Sequence, residues 1–409
     1  MSENKKAGLF YGYVIVAAAF LVMAFMWGGL FTFAVFFEPL LETFGWSRAG
    51  TSGAYSLALL LVGPFGILAG KLTDRFGPRP VVIGGALLFG AGFLLLSQVS
   101  TLGQFYLYYG VVGAGMGTTV VPMASTVARW FTRRRGMMTG IALAGLGVGV
   151  MVFPTLTAGL LLRFQWTDTY RIIGIIVTVV LVLVAQVLKR DPSRIGQLPF
   201  GADRLAGLES APVISFTLRQ ALRNRQFWLL TGAFFGFIAS SGAIPAHIIL
   251  HATGLGIPSA NAAVILAVIG GSTSLGRVVV GIVADKIGCK KSLVIVLLLE
   301  AAALFWLLTI RELWMFYVFA ALFGFGHGGA VALMSPSIAQ YFGLSSHGII
   351  LGVIMNGNQI IESASTVAAG YIFDVSGSYY PAFVAFAVAS FLGALLAWRL
   401  KPVGLNQYS

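Results

Sequence analysis

The sequence is poor in charge. Aspartate, glutamate, lysine and arginine make up 10% of its 409 residues, against 58% hydrophobic residues and a mean hydropathy of +0.91. So little charge cannot cover a water-facing surface, which argues against a soluble protein with buried helices. Cysteine is almost absent. The single Cys289 excludes an intrachain disulfide and a thiolate metal cluster, and no histidine pair has metal-ligand spacing, so neither metal nor cofactor is expected. A glycine-rich loop closing on Lys-Ser/Thr is missing, which speaks against ATP-driven pumping. No Ser/His/Asp arrangement is legible, and no extramembrane stretch is long enough for a catalytic domain. An enzyme is therefore not expected.

Acidic residues are scarce too, 13 against 26 lysines and arginines, for a net charge of +13. That excess suggests nucleic acid until its placement is considered. Trial helices put Arg48, Arg163, Arg171 and Arg311 on one side and Arg277 inside. The other lysines and arginines fall on the opposite side. This is the positive-inside asymmetry, so both termini are expected in the cytoplasm and the span count to be even. The charge then reads as a topology signal with lipid headgroups as its partner, not nucleic acid.

What is present is a succession of apolar runs of 18 or more residues, each able to cross a bilayer as a helix. They fall at about 9–37, 51–72, 81–98, 105–128, 137–162 and 172–188, then 227–250, 260–284, 293–310, 315–340, 349–373 and 380–400. The N-terminal residues 1–7 are too short and polar for a cleavable signal, and the first run is too long for one. Between the sixth and seventh runs, residues 190–225 are charged and carry Pro192, Pro199 and Pro212, the mark of a linker. The expected architecture is an all-α membrane protein of twelve transmembrane helices. Residues 1–189 and 226–409 form two six-helix halves, and the expected location is multi-pass in the cell inner (plasma) membrane.

The halves repeat each other. Gly70-Lys71-Leu72-Thr73-Asp74-Arg75-Phe76-Gly77 returns as Gly281-Ile282-Val283-Ala284-Asp285-Lys286-Ile287-Gly288, and Trp130-Phe131 as Tyr341-Phe342, both at an offset of 211. Gly136, Gly140 and Gly145 return as Gly348, Gly352 and Gly357 at 212. Parallel repeats of this kind place a binding site at their interface near the midplane.

These residues resemble the major facilitator superfamily, whose signature loop is matched by Gly70 to Arg79 and recurs in the second half. The resemblance implies alternating access by rocking of the halves. It also makes Asp74, Arg75, Arg79, Asp285 and Lys286 conformational latches. A narrower resemblance, carried by the aromatic pair Trp130-Phe131, the basic cluster Arg133-Arg134-Arg135 and the small residues through Gly145, is to the monocarboxylate transporter family. Tyr11-Gly12-Tyr13-Val14 sits where that family has an acidic-glycine-tryptophan motif, and matches it only in glycine and aromatic character. The family also places an arginine in span 8, four residues after an aspartate. Arg277 matches the arginine, and Thr273 holds the aspartate position. A lysine of the animal members in span 1 is replaced by an apolar residue near Phe31, which places the chain close to the oxalate:formate antiporter branch. That branch pairs the arginine with a span-11 lysine, where this chain has Asn358.

Arg277 is the residue around which the reading turns. No lysine or arginine lies between Arg225 and it. A guanidinium inside a bilayer is costly and normally faces a cavity or the bundle interior. Its planar fork suits a carboxylate. One fixed cation balances one carboxylate, whereas a second buried carboxylate would be unpaired, so a monocarboxylate of the lactate or pyruvate type is favoured over a dicarboxylate. Thr273 shares the helix face of Arg277 and Ser274 is adjacent. Arg277 lies roughly 12 Å from Asp285 along its helix and Asn358 roughly 15 Å from Gly348, so both sit at similar depth. Phe25, Trp27, Phe31, Leu143 and Leu146 are candidate apolar walls. Glu362, one turn beyond Asn358, is the foremost candidate proton carrier or a switchable partner of Arg277. His247 and His327 are further candidates. Glu300 is expected in a structural hydrogen bond. The expected activity is proton symport of a small monocarboxylate, with no obligate protein partner. Exchange of the oxalate:formate type is the alternative.

Overall fold

The computed structural model describes residues 10–202 and 216–401. The N-terminal segment, the middle of the expected linker at 203–215, and the side chain of Arg48 lie outside the described residues. The described chain is helical. It contains α1 (Gly12–Phe31), α2 (Phe33–Phe44), α3 (Arg48–Phe76), α4 (Pro78–Leu96), α5 (Leu102–Met116), α6 (Val120–Trp130), α7 (Arg135–Leu161) and α8 (Trp166–Gln186). After a short 3-10 turn (Pro192–Ile195) come α9 (Leu218–Arg223), α10 (Arg225–Ser241), α11 (Ala243–Gly254), α12 (Ser259–Ile287), α13 (Cys289–Leu307), α14 (Leu313–Phe342), α15 (His347–Ser376) and α16 (Tyr380–Trp398). No strand occurs among the described residues, and one isolated parallel bridge joins Phe131 to Phe200.

Among the described residues, ten helical segments are long and apolar enough to cross a membrane, from Gly12–Phe37 to Tyr380–Trp398. Two expected spans are not among them. They coincide with α13, which carries Lys290, Lys291 and Glu300, and with α15, which carries Asn356, Asn358, Gln359 and Glu362. Three expected continuous spans are broken. The first divides into α1 and α2 at Thr32, the fourth into α5 and α6 after Gly117, and the seventh into α10 and α11 at Gly242. Thr32 Oγ1 donates to the Gly29 carbonyl at 2.6 Å and Thr119 Oγ1 to the Met116 carbonyl at 2.8 Å. Such local side-chain bonds compete with the helical ladder and let it bend.

The repeated signature loops end their helices alike. α3 closes on Gly77 and α12 on Gly288, both at φ +90°, a conformation that glycine adopts without steric cost. The halves meet through α3 against α15 and α7 against α12. A β-carbon on Gly70 would stand 2.3 Å from the Gly348 carbonyl oxygen, and one on Gly281 2.4 Å from that of Gly136. Only glycine permits main chains to cross this closely.

The buried apolar side chains of the first half form one continuous cluster. Those of the second half form two, one of which takes in Val121 and Ala124 of α6 from the first half. In α10 the first of these ends at Ile238 and the other begins at Ala243 in α11. In α14 the division falls between Phe323 and Ala330. The gap is filled by a belt of polar residues, and the candidate site lies in it.

Candidate functional site

The belt is built helix by helix. α12 and α14 pack with their backbones in contact, since β-carbons on Gly276 and Gly328 would stand 2.2 Å from the Phe325 carbonyl oxygen and 2.0 Å from that of Thr273. This close packing brings His327 within electrostatic reach of Arg277. α7 crosses α12 on the other side, where Gly140 leaves room for the main chain at Arg277. Arg277 is 8% exposed and donates from Nη1 to the main-chain carbonyl of Leu143, 3.1 Å away in the first half. Its Nε, fully buried, has no partner. No carboxylate lies within ion-pairing distance of it among the described residues. A buried guanidinium satisfied by one neutral carbonyl is far from compensated.

Beyond His327 the belt continues as a chain of hydrogen bonds. Ser241 Oγ donates to Glu362 Oε1 at 3.2 Å and lies 3.3 Å from His327 Nε2. With its own proton given to Glu362, the hydroxyl accepts from Nε2, which assigns the tautomer and leaves His327 Nδ1 as the acceptor. That Nδ1 is buried without a partner. Asn358, one turn before Glu362, is 4% exposed. Its Nδ2 reaches only the Met334 sulfur at 3.7 Å, and its Oδ1 is unpartnered. The Trp27 indole N–H is buried and unpartnered as well. Buried polar atoms are ordinarily satisfied, so these unpartnered atoms of Trp27, Arg277, His327 and Asn358, like others elsewhere among the described residues, are open to a polar guest.

Other expected residues fall differently. Thr273 Oγ1 bonds back to the Ile269 carbonyl at 2.8 Å and Ser274 Oγ to the Gly270 carbonyl at 3.2 Å, so both hydroxyls are spent on their own helix. Leu143 meets Arg277 through its main-chain carbonyl. Leu146 is half-buried on the same helix. Trp27 packs on Phe31 at 6.4 Å and Phe31 on Tyr55 at 6.5 Å, while Phe25 turns to Phe153 at 5.1 Å. Glu362 pairs with Ser241 and not with Arg277. His247 stands outside the belt with both ring nitrogens engaged, at 3.2 Å from the Tyr379 hydroxyl and 3.1 Å from the Thr366 carbonyl. Glu300 is fully buried and accepts from Ser240 Oγ at 2.7 Å.

At the end of the bundle carrying the signature loops, each half caps a helix of the other. Asp74 accepts from the main-chain N–H of Gly348 (3.2 Å) and Ile349 (3.1 Å) at the start of α15. Asp285 accepts from Gly136 (2.8 Å) and Met137 (2.9 Å) at the start of α7. A carboxylate at a helix N-terminus is favoured both by these donors and by the helix dipole. Arg129 ties Asp74 at 2.9 Å and also donates to the Leu344 carbonyl across the halves. Arg75 instead lies over the Phe76 ring at 5.1 Å, Arg79 bonds Gln186 of its own half, and Lys286 is exposed. Of the expected latch residues, Asp74 and Asp285 make hydrogen bonds across the halves, joined by Arg129 and, from Ser335 Oγ to the Ala124 carbonyl at 3.1 Å, by Ser335. Arg129 and Ser241 were not singled out from the sequence, although the Ser240-Ser241 pair after the apolar run 227–239 was visible there.

The family model described as Major Facilitator Superfamily matches residues 19–295 and 243–407. Among curated proteins, Monocarboxylate transporter 13 of Bos taurus is 28% identical over 382 residues, covering 91% of this chain and 85% of its own. The Oxalate:formate antiporter of Oxalobacter formigenes is 27% identical over 337 residues, covering 81% and 77%. Among solved structures, the proton:xylose symporter XylE superposes with a TM-score of 0.76 at 15% identity, with 96% of each chain covered, a likeness of fold alone.

Proposed function

Because the chain belongs to the Major Facilitator Superfamily, we propose that this multi-pass membrane transporter carries small monocarboxylates of the lactate or pyruvate type by proton symport, with Arg277 holding the carboxylate. The observation that carries the reading is the solitary charge. Arg277 is buried, has one neutral acceptor and no acidic partner among the described residues. A monocarboxylate supplies the missing charge and the missing acceptors together. Arg277 also bridges to Leu143 of the opposite half, so an anion that takes over its donors alters a contact between the halves. This supports coupling of binding to rocking.

In this reading twelve spans form two halves, 1–189 and 226–409, joined by the linker 190–225, with both termini in the cytoplasm. Asp74, Asp285 and Arg129 then hold the cytoplasmic end shut. Glu362 is the proton carrier, and Ser241 links it to His327 and so to the neighbourhood of Arg277. The similarity to an oxalate:formate antiporter keeps exchange as the rival. Against it stands Asn358, a neutral amide where a dicarboxylate would need a second cation.

The test is uptake of labelled lactate into proteoliposomes with and without an inward proton gradient, with oxalate as competitor. Symport predicts gradient-driven accumulation with no internal substrate, and Arg277→Ala is expected to abolish it while the protein still folds. Uptake that requires internal oxalate or formate and ignores the gradient would establish exchange instead. Normal affinity in Arg277→Ala would remove the anion assignment.

A further inference from the structure

Two cavities outside the central belt share one design. The first, of about 320 Å³, lies between the start of α4 and the end of α8. Arg79, Lys189, Arg190 and Arg194 line it beside Phe76 and Ile195. The second, of about 600 Å³, lies between the start of α13 and the end of α16, lined by Arg225, Lys290, Arg399 and Lys401 with Leu229 and Trp398. Arg79 and Arg190 return as Lys290 and Lys401 at the same offset of 211 that relates the signature loops. The duplication has therefore preserved a cationic cavity, not merely a count of positive charges.

Among the described residues, no acidic side chain lines either cavity. Asp191, next to the first, is shared between Arg190 Nε at 3.2 Å and Arg129 at 3.5 Å; among the described residues Arg79, Lys189 and Arg194 have no acidic partner, and Lys189 Nζ lies 4.5 Å over the Tyr11 ring. In the second, Lys290 donates to the Leu400 carbonyl at 2.7 Å, a neutral acceptor. α4 and α13, which begin at these cavities, lack a side-chain cap, so their positive ends add to the field, whereas α10 at the second cavity is capped by Asn224. The rims are apolar and open. Phe76 is 53% exposed and Trp398 66% exposed, each at the end of a spanning helix, the level at which aromatic side chains meet lipid headgroups. A cluster of cations, three without an acidic partner in the first cavity, under an exposed aromatic rim fits an amphiphile with a phosphate head better than a free anion, which would leave the rim unused.

We propose that each half carries one site for an anionic phospholipid, its phosphate among Arg79, Lys189, Arg190 and Arg194 in the first half and among Arg225, Lys290, Arg399 and Lys401 in the second. The site is distinct from the Arg277 belt and does not depend on what is transported.

Native mass spectrometry of the purified full chain with phosphatidylglycerol, against phosphatidylcholine, tests it. Two retained phosphatidylglycerol molecules per protein are expected beyond the phosphatidylcholine background. Arg79→Gln/Arg194→Gln should lose one and Arg399→Gln/Lys401→Gln the other. Each pair is expected to weaken its site about thirtyfold. Unchanged thermal unfolding in phosphatidylcholine checks that the variants fold. Equal retention of the two lipids, or retention unaffected by the substitutions, would overturn the proposal. Displacement by free glycerol phosphate as readily as by phosphatidylglycerol would assign the cavities to a soluble phosphate and overturn the lipid.

Discussion

Replacing Asp285 by asparagine tests how firmly the halves are clasped. The carboxylate accepts two main-chain hydrogen bonds, 2.8 and 2.9 Å long, from the first turn of α7 in the other half. A hydrogen bond to a charged group contributes about 1.5–3 kcal/mol and a neutral one about 1 kcal/mol. The asparagine oxygen can keep one neutral bond. The charge also interacts with the helix N-terminus by about 0.3–1 kcal/mol. Asp285 is exposed at its edge, so the lower part of these ranges applies, and the loss comes to about 2 kcal/mol. That is about thirtyfold in the balance between the closed arrangement and one parted at this end. The chain supplies its own reporter. Cys289, the one cysteine, is half-buried four residues beyond Asp285 and lies within electrostatic reach of Arg135 from the opposite half. Its rate of maleimide labelling in detergent should rise by about this factor in Asp285→Asn. The equivalent Asp74→Asn, which also loses the Arg129 ion pair, should open the end further. Unchanged labelling in both variants, with the fold intact by thermal unfolding, would refute the clasp.

Three other substitutions bear on the site and the closure. Asn358→Lys would add a second cation near the belt and is expected to shift competition for uptake toward oxalate; unaltered selectivity would count against a role for this position. Glu362→Gln retains an acceptor for Ser241 but cannot carry a proton, so gradient-driven accumulation should be lost while lactate counterflow between two lactate pools persists. Loss of neither would acquit Glu362. Gly281→Val would drive a side chain into the Gly136 carbonyl, so this end cannot close, Cys289 should label at its maximal rate and uptake should fall at least tenfold; normal transport would mean that the glycine crossing is dispensable.

Much of the architecture was legible because hydropathy and chain duplication are local signals. The apolar runs and the solitary Arg277 are read from consecutive residues, and the duplication from short stretches that match 211 residues apart. The helix breaks at Thr32 and Gly242 were not legible, because one threonine or glycine in an apolar run leaves the hydropathy unchanged. The partner of Glu362 was out of reach for another reason. Ser241 lies 121 residues away, and an isolated serine in an apolar helix gives no sign of which neighbour it will meet. The latch residues show the limit most plainly. Asp74 and Arg75 are adjacent in a motif, yet successive helix positions point about 100° apart. Only the first turns toward the other half, while the second rests on Phe76. Thr273 shows a related limit. Its spacing from Arg277 was right, but a threonine hydroxyl inside a helix can satisfy itself on its own backbone.

The reciprocal capping has a consequence for ancestry. Asp74 of the first half holds the start of α15, and its repeat counterpart Asp285 holds the start of α7, itself the counterpart of α15. Each partner both gives and receives the same contact, which is the rule for two identical subunits about a two-fold axis. A single half made as a separate chain carries the donor and the acceptor of the pair, and two copies can satisfy one another with no change of register. The interface between the halves thus has the pattern of a homodimer's, the assembly that an unduplicated half would form. Cross-linking of the first half expressed alone, with dimers that vanish on Asp74→Asn, would recover that older assembly.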